Sequence, residues 1–420
     1  MSILFKNARI LTMEDDRVIS GELLVEGNRI SYLGPKCHKK ADQVIDSCGN
    51  LLMPGFKNCH AHNAMVFVRS YADDLPLQRW LNEAIFPLEA RFEKDDIYHL
   101  TKLGLLENLS SGITATSDMY FTCPEIVRAT NEIGIRNVLV ATSTSEPISL
   151  LEERYKTWND KNSLISYRLG IHAEYTTPKE RIIEVAGLAK KLHAKVALHA
   201  CESMKEVQGC VDRYGMTPIK FLDSLGLFDY GGISYHSNYF SDEEIEIAKR
   251  RGIDLVTCPA SNAKLASGIC PVTKYLRAGL NVAIGTDGPA SNNSLDMFKE
   301  MYLVSALQKL SNNDASAMDG FEVLKMATVT GSKVLDLNDA DVLKVGKLAD
   351  IIMINLHLPN MQPINNIGKN IVYAGSKDIV KMTMVDGKIR FMDGKYFIDE
   401  NVEDIYKKAQ EITERLKWKN

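Results

Sequence analysis

Met53-Pro-Gly-Phe-Lys-Asn-Cys-His-Ala-His62 continues the apolar pair Leu51-Leu52 and ends in two histidines one residue apart. Because side chains on a strand alternate between its two faces, His60 and His62 are expected to point the same way at the end of a strand. Neutral imidazole is a ligand for zinc or iron(II), so this pair would supply half of a metal site. The motif is short, and two surface histidines are the alternative interpretation unless further ligands follow along the chain.

The middle of the chain alternates strand-like apolar runs with amphipathic segments of helical length. After the run that ends at His62, seven more runs follow at 112–118, 137–141, 167–172, 195–199, 232–236, 254–258 and 281–287. Eight strand–helix units favour a closed (β/α)8 barrel, a fold that typically needs about 250 residues or more. An open doubly wound sheet is the structural alternative, although no G-x-G-x-x-G motif follows the first strand.

The two ends of the chain have the pattern of short strands joined by tight turns. Gly27-Asn28 separates two alternating runs, and the pairs Asp386-Gly387 and Asp393-Gly394 suit hairpin turns that need positive φ. The segment from Val402 to Lys417 has helical apolar spacing. The expected fold class is therefore α/β: a (β/α)8 TIM barrel with a small β-sandwich domain built from both termini. Its expected parts are 1–54 and 345–420 (with the terminal helix) for the β domain and 55–344 for the catalytic barrel.

The composition is that of an ordinary globular protein. The chain has 420 residues, of which 45% are apolar and 25% charged, with a formal net charge of −4. It has no basic footprint for nucleic acid, no run of about 20 apolar residues and no secretory h-region at its start. None of its eight cysteines has C-x-x-C spacing, which favours reduced, buried thiols. We therefore expect a cytoplasmic protein without nucleic-acid or membrane partners.

Histidine and aspartate residues stand at the ends of the expected strands, where a barrel carries its active site. The five strand ends concerned are His62, His172, His199, His236 and Asp287. Counting His60, these positions take five of the nine histidines of the chain. The other four, which we interpret as structural or exposed, are His38, His99, His193 and His357.

Two carboxylates extend this histidine set. Glu202 comes three residues after His199, where it could take a proton from a metal-activated water, although a helix N-terminal charge is the alternative. Asp287 could cap a helix, yet it would complete three histidines and one aspartate around a single cation. His236 would then support the ligands or form a hydrogen bond in the transition state. No lysine of the expected barrel stands out as a bridging carbamate, so a mononuclear site is favoured.

Several longer motifs resemble the amidohydrolase superfamily. They are Pro54-Gly-Phe-Lys-Asn-Cys-His-Ala-His62, His199-x-x-Glu202, His236 followed by Ser241-Asp-Glu-Glu244, and Gly285-Thr-Asp-Gly288. More narrowly, Pro259-Ala-Ser-Asn-Ala-Lys-Leu-Ala-Ser-Gly-Ile-Cys-Pro-Val272 and Gly285-Thr-Asp-Gly-Pro-Ala-Ser-Asn-Asn-Ser-Leu-Asp296 are similar to the 5-methylthioadenosine/S-adenosylhomocysteine deaminases, a cytosine deaminase/chlorohydrolase-like family. The resemblance covers essentially the whole chain.

The resemblance implies roles for individual residues. His60, His62, His199 and Asp287 would bind one divalent metal ion, with zinc as the first expectation and iron or manganese as alternatives. The catalytic residues would be Glu202 (as the proton shuttle), His236 and Asp287, and the substrate contacts would be Glu89, His172, Glu202 and Asp287. Glu89 would contact the ribose, with a solvated helix charge as its alternative, and His172 could instead be a packed strand end. The sequence itself does not indicate an oligomeric state, but members of the family often form dimers or larger assemblies, so the resemblance allows a homo-oligomer.

The chain departs from the family pattern where the substrate's tail is expected. The family carries arginines after the third strand and in the loop beyond it, but residues 141–150 contain none. Arg136 and Arg154 flank this gap, and Tyr239 stands where many relatives have a second histidine. Because arginine is the usual bidentate partner of a carboxylate, a homocysteine tail is less well supported than a shorter one.

The expected activity is the hydrolytic deamination of an adenine nucleoside (5′-methylthioadenosine, S-adenosylhomocysteine or an adenosine-like compound) to the inosine analogue and ammonia. Other aminated or chlorinated rings (guanine, cytosine, pterin or s-triazine) are alternatives, as is a non-catalytic scaffold like the dihydropyrimidinase-related proteins. Deaminases with cysteine ligands are excluded, because they need H-x-E followed by P-C-x-x-C and only His172-Ala-Glu174 is present.

Overall fold

A computed structural model describes residues 1–93, 95–121, 123–142, 146–159 and 164–418, which form two β-sheets surrounded by helices. The strands are β1 (Ser2–Leu11), β2 (Val18–Glu26), β3 (Arg29–Gly34), β4 (Gln43–Asp46), β5 (Leu51–Pro54), β6 (Phe56–Ala61), β7 (Ile113–Met119), β8 (Arg136–Val140), β9 (Ile165–Ala173), β10 (Val196–Ala200), β11 (Gly232–His236), β12 (Ile253–Thr257), β13 (Val282–Ile284), β14 (Ile351–Ile354), β15 (Val380–Val385), β16 (Lys388–Met392) and β17 (Lys395–Tyr396). The helices are α1 (Leu77–Arg79), α2 (Phe86–Glu89), α3 (Asp96–Ser110), α4 (Cys123–Ile133), α5 (Ile148–Trp158), α6 (Lys179–Leu192), α7 (Met204–Tyr214), α8 (Pro218–Ser224), α9 (Asp242–Arg251), α10 (Pro259–Lys264), α11 (Val272–Arg277), α12 (Met297–Ser311), α13 (Gly320–Met326), α14 (Val329–Val334), α15 (Ile367–Tyr373) and α16 (Val402–Trp418).

Strands β6 to β13 form the barrel, hydrogen-bonded in chain order with each strand parallel to the next. The barrel closes where the chain after β13 returns to β6, because the backbone N–H of Asp287 donates to His60 O at 2.9 Å. Gly285 permits this approach, since a Cβ there would lie 2.8 Å from the backbone nitrogen of His60. The (β/α)8 barrel predicted from the eight apolar runs is confirmed.

The other nine strands, from both ends of the chain, form the second sheet. Its order is β17-β16-β15-β14-β5-β1-β2-β3, with β4 paired to β1. The hairpin turns have the positive φ values that the sequence predicts, at 52° and 74° for Asp386-Gly387 and 50° and 77° for Asp393-Gly394. The small β domain made from both termini is therefore confirmed, while its exact bounds stay a prediction.

The chain passes from the β domain into the barrel directly before the histidine pair. Strand β5 pairs with β1 and β14, and after Gly55 the chain continues as β6 beside β7. A Cβ on Gly55 would lie 2.1 Å from Cγ2 of Thr114, so glycine is needed at this crossing. The strand that carries His60 therefore lies in the barrel, and the segment directly before it is held in the second sheet, which limits how far this residue can shift.

The predicted terminal helix packs against the start of α3. Its buried residues recur at helical spacing: Ile405, Ala409, Ile412 and Leu416. The guanidinium of Arg91 donates to Leu416 O at 3.0 Å, and Arg415 pairs with Asp96. Burial of each large apolar side chain contributes about 1.5–3 kcal/mol, so this apolar face fixes the helix to the barrel wall. No helix of the described residues combines the length and the apolar character needed to cross a membrane.

A buried ion pair connects the barrel to the β domain. Arg136, at the start of β8, donates to both carboxylate oxygens of Asp350 at 2.7 and 3.1 Å and to Asp386 at 2.7 Å. Because removing one partner of a buried pair leaves a desolvated charge, Arg136→Met is expected to lower the free energy of unfolding by about 3–5 kcal/mol. Urea denaturation followed by tryptophan fluorescence measures this loss.

The matched control for this substitution is Arg250→Met. Arg250 pairs with Asp223 at 3.0 Å, but 63% of its side chain is exposed. Exposed ion pairs contribute about 0–1 kcal/mol, so the free energy of unfolding of this variant should be close to that of the unmodified protein. If Arg136→Met and Arg250→Met lowered the free energy of unfolding by the same amount, a structural role for the buried pair would be contradicted.

Candidate active site

The ends of three barrel strands bring three of the predicted histidines and the aspartate to one point. His60 is in β6 and His62 directly follows it, His199 is the penultimate residue of β10, and Asp287 follows β13. One potential ligand atom from each of these four residues lies within 4.8 Å of all the others. The tertiary structure thus brings together the four residues whose positions at strand ends suggested a shared cation.

The atoms that face each other are the Nε2 atoms of the imidazoles and one carboxylate oxygen. Oδ1 of Asp287 lies 3.2 Å from Nε2 of His62 and 3.5 Å from Nε2 of His60. Nε2 of His199 lies 3.1 Å from Nε2 of His60. Three imidazole nitrogens and one carboxylate oxygen are a donor set that zinc and other divalent transition metals accept, so the residues present fit a metal ion.

Backbone carbonyls orient two of these imidazoles. Nδ1 of His199 donates to His172 O at 2.7 Å, and Nδ1 of His62 donates to Met119 O. Because these bonds take the proton on Nδ1, the lone pair of Nε2 remains available to a cation. The ring of His60 is held differently, by stacking on Tyr235 with a centroid distance of 3.8 Å.

Burial keeps two of the imidazoles neutral. It lowers the pKa of His60 to about 3 and holds the pKa of His199 well below its usual value. A neutral imidazole can donate its lone pair to a metal, whereas an imidazolium cannot. For Asp287, burial acts to raise the pKa, but hydrogen bonds with His60 and His62 outweigh it and hold that pKa well below its usual range. The site therefore combines two neutral imidazoles with an ionised carboxylate, while the pKa of His62 is raised, against the effect of its burial, by the hydrogen bond to Asp287.

Two serine hydroxyls hold the Asp287 carboxylate, a support that sequence reasoning missed. Oγ of Ser261 and Oγ of Ser291 donate to Oδ2 at 2.5 and 3.0 Å. The backbone N–H of Gly288 donates to Oδ1 at 2.8 Å. Both serines lie within the longer motifs quoted above, which could have indicated them. Neither serine ends a strand, so the positions of the strand ends did not.

Glu202 and His236 lie next to each other beside the four ligand candidates. Oε2 of Glu202 is 3.9 Å from Nε2 of His236, and Oε1 accepts a hydrogen bond from Ser267 Oγ at 2.9 Å. Nδ1 of His236 donates to Oδ1 of Asn262 at 2.8 Å. The Ser267 and Asn262 contacts, also missed from sequence, leave Oε2 and Nε2 as the groups that face one another.

A buried carboxylate fixes the turn that carries Glu202. Both oxygens of Glu206, in the first turn of α7, accept backbone N–H groups, from Cys201 at 2.7 Å and from Glu202 at 2.8 Å. Burial and the nearby Glu202 raise the pKa of Glu206 to about 7. Glu202 therefore stands before the helix and does not act as its N-cap, a role that Ser203 fills.

A cavity of about 290 Å³ is lined by His62, His199, Glu202, His236 and Asp287, and the rest of its lining is mainly apolar. One wall is the helical segment from α1 to α2, which contains a π-helical turn at Trp80–Ile85. The apolar lining residues include Met65, Leu77, Trp80, Leu81, Ile85, Met119, Phe121 and Leu265. A mostly apolar cavity with a few converging polar groups is the usual form of a small-molecule site.

Glu89 and His172 also line this cavity. Oε1 of Glu89 accepts a hydrogen bond from the Tyr120 hydroxyl at 2.5 Å, and burial raises the pKa of this carboxyl to about 7. Nδ1 of His172 is bonded to Oγ1 of Thr176 at 2.8 Å. Both predicted substrate contacts therefore face the same space as the candidate ligands.

The two arginines that flank the family's arginine positions do not line the cavity. Arg136 is in the ion pair with the β domain, and Arg154 pairs with Glu146 at 2.7 Å. Of the segment 141–150, residues 143–145 lie outside the described part of the chain. Tyr239 packs against Gly268, where a Cβ would lie 2.5 Å from the phenol oxygen. Among the described residues that line the cavity there is no lysine or arginine.

Comparisons with known proteins agree with this fold and site. The amidohydrolase family model matches residues 51–390. A 5-methylthioadenosine/S-adenosylhomocysteine deaminase of Caldanaerobacter subterraneus is 38% identical and covers 99% of both chains. One from Thermococcus sibiricus is 39% identical over 93% of this chain and 94% of its own.

Among solved structures, a zinc-bound adenosine deaminase from Xanthomonas campestris has a TM-score of 0.94, at 31% identity over 99% of this chain and 98% of its own. The Arthrobacter aurescens atrazine chlorohydrolase TrzN has a TM-score of 0.90 at 21% identity, covering 98% of this chain and 100% of its own, which shows the shared fold alone. The barrel, the histidine–aspartate cluster and these similarities together show that the chain belongs to the amidohydrolase family.

Proposed function

We propose that this enzyme catalyses the hydrolytic deamination of an adenine nucleoside (5′-methylthioadenosine, S-adenosylhomocysteine or an adenosine-like compound) to the inosine analogue and ammonia. The observation that carries this proposal is the position of Glu202 and His236 beside three histidines and an aspartate, at a mainly apolar cavity. The names of the full-length relatives support the choice of substrate class.

The metal ion would be held by His60, His62, His199 and Asp287. We propose zinc, to which this donor set is suited, with iron(II) and manganese as alternatives. When bound, a divalent ion lowers the pKa of water to about 7 and so supplies a nucleophile at neutral pH. Retention of all four donors disfavours the non-catalytic scaffold considered from the sequence.

The protein groups would then move the protons. Glu202 takes a proton from the attacking water and gives it to the ring nitrogen, so that no ring anion accumulates. Asp287 orients the water and accepts its second proton, while His236 polarises or positions the attacked carbon. Glu89 accepts hydrogen bonds from ribose hydroxyls, and His172 contacts the substrate from the end of β9. Asp287 then passes this second proton to the amino group as the bond between the amino nitrogen and the ring carbon breaks, and the amino group leaves as ammonia.

The substrate preference follows from the walls of the cavity. The described lining offers no cation for a carboxylate, so the charged tail of S-adenosylhomocysteine would lose its hydration without a charged partner. A hydrogen bond to a charged group contributes about 1.5–3 kcal/mol, so kcat/KM for S-adenosylhomocysteine should be at least about tenfold below that for 5′-methylthioadenosine. Ammonia release by metal-replete protein measures both constants, with adenosine as the tail-less reference.

The same assay tests the other ring substrates. Guanine, cytosine, a pterin and an aminated s-triazine are assayed beside the adenosines. If no adenosine compound released ammonia and one of these four rings did, that ring would replace the adenine nucleoside as the proposed substrate. Equal kcat/KM values for S-adenosylhomocysteine and 5′-methylthioadenosine would contradict only the selectivity. An assembly of identical chains and a cytoplasmic location stay predictions from sequence, and light scattering of the purified protein tests the first of them.

A further inference from the structure

A buried tyrosine connects the barrel to the helical wall of the cavity. Tyr120 directly follows β7, is 4% exposed, and donates its hydroxyl proton to Oε1 of Glu89 at 2.5 Å. Glu89 ends α2 on the wall segment. The contact therefore joins the end of a barrel strand to the helical wall of the cavity.

Aromatic neighbours hold the Tyr120 ring in place. It stacks on Phe121 with a centroid distance of 4.2 Å and an interplanar angle of 21°, and it meets the ring of Phe92 nearly edge-on at 6.5 Å. The same ring lies 6.4 Å from the ring of His62. A ring packed on several sides cannot swing, so the hydroxyl stays at one position next to the metal-binding cluster.

Glu89 offers the remaining acceptor capacity to the cavity. Within the described residues its hydrogen-bond partner is Tyr120, at Oε1, and Oε2 has none. Burial raises the pKa of this carboxyl, and the hydrogen bond from Tyr120 acts in the opposite direction by stabilising the ionised form. A carboxyl oxygen without a hydrogen-bond partner can accept a hydrogen bond from a ligand that presents neighbouring hydroxyl groups.

We propose that Tyr120 is a positioning residue that selects substrates with a vicinal diol, by fixing Glu89 through Oε1 so that Oε2 faces the sugar hydroxyls. The inference rests on the proposed deaminase function and adds a residue to it. Without the phenol hydroxyl, the carboxylate can rotate or take up a proton, and either change weakens its contact with a diol. A nucleoside that lacks the diol has no such contact to lose.

The test compares adenosine with 2′,3′-dideoxyadenosine in metal-replete Tyr120→Phe and unmodified protein. We expect kcat/KM for adenosine to fall roughly tenfold or more, mainly through KM, because a hydrogen bond to a charged group is lost. In the same variant, kcat/KM for dideoxyadenosine should stay within about twofold of the value for the unmodified protein. This nucleoside lacks the hydroxyl groups that Glu89 would bind, and changes at groups that do not interact have independent effects. Tyr302→Phe, on the half-exposed face of α12, is the matched control and should change neither substrate.

Coupling to Glu89 separates positioning from a general structural effect. In a Glu89→Gln background, Tyr120→Phe should change the adenosine/dideoxyadenosine ratio by less than about twofold, because the two residues then act as one unit. Glu89→Gln alone should also reduce this ratio, a test that holds even if Tyr120→Phe loses its thermal unfolding transition. Equal loss on both substrates in Tyr120→Phe, or an unchanged ratio in Glu89→Gln, would overturn the proposal. If the unmodified protein releases ammonia from neither nucleoside, the proposed deaminase function itself fails.

Discussion

Glu202→Gln is expected to lower kcat for the preferred nucleoside by about 10²- to 10⁴-fold, the usual contribution of a positioned acid–base group. The glutamine amide has nearly the same shape and can still accept the Ser267 hydroxyl that now bonds Oε1 at 2.9 Å. It cannot take a proton from water or pass one to a ring nitrogen. Metal content and Tm should therefore stay unchanged while kcat falls. Ammonia release measures kcat, metal analysis measures the metal content, and thermal unfolding measures Tm.

Glu246→Gln is the matched control for this substitution. Glu246 lies on the exposed face of α9, away from the cavity, so its amide variant should keep the full kcat. If Glu202→Gln kept a kcat within a few-fold of the unmodified protein, Glu202 would not be the proton carrier. His236, whose Nε2 lies 3.9 Å from Oε2 of Glu202, would then be the next group to test.

Asp287→Ala is expected to abolish metal-dependent turnover. The substitution removes the negatively charged member of the four-residue cluster and leaves the hydroxyls of Ser261 and Ser291 without their acceptor. A metal contributes several kcal/mol of transition-state stabilisation, which corresponds to a loss on the order of 10³-fold or more. Ammonia release and metal content by mass spectrometry are the direct measurements.

Thermal unfolding gives a second measurement that does not depend on activity. A ligand that binds only the native state adds about 2.7 kcal/mol of stability at a hundredfold excess over its Kd. Added zinc should therefore raise the Tm of the unmodified protein and of the exposed control Asp16→Ala, but not that of Asp287→Ala. Unchanged turnover, or a full zinc-induced shift in Asp287→Ala, would contradict the proposed metal site.

Much of the fold could be predicted because local patterns report on it. Alternation places His60 and His62 on the same side of the chain at the end of β6, and apolar runs mark the barrel strands. The pair Asp386-Gly387 takes the positive φ values of a tight hairpin turn. These features depend on covalent geometry and on which residues are buried, so they can be read without knowing any distant contact. The same reasoning placed His199, and Asp287 with it, near the metal-binding point, since the strands of a barrel share one C-terminal edge.

The hydrogen-bond and ion-pair partners of the site residues could not be derived from local sequence patterns. Ser261 reaches Asp287 from α10 and Ser291 reaches it from the turn after Gly288, and the partner of Glu89 is a tyrosine 31 residues away. Arg136 flanks the segment expected to carry substrate-binding arginines, yet it turns to Asp350 in the β domain. Such contacts arise only when the barrel closes and side chains from separate strands and loops compete for the same space. The sequence by itself determined the barrel and the residues that meet at its edge, because both follow from local periodicity. Only the tertiary structure decided which hydroxyl, carbonyl or carboxylate holds each of them, because those pairings depend on long-range packing.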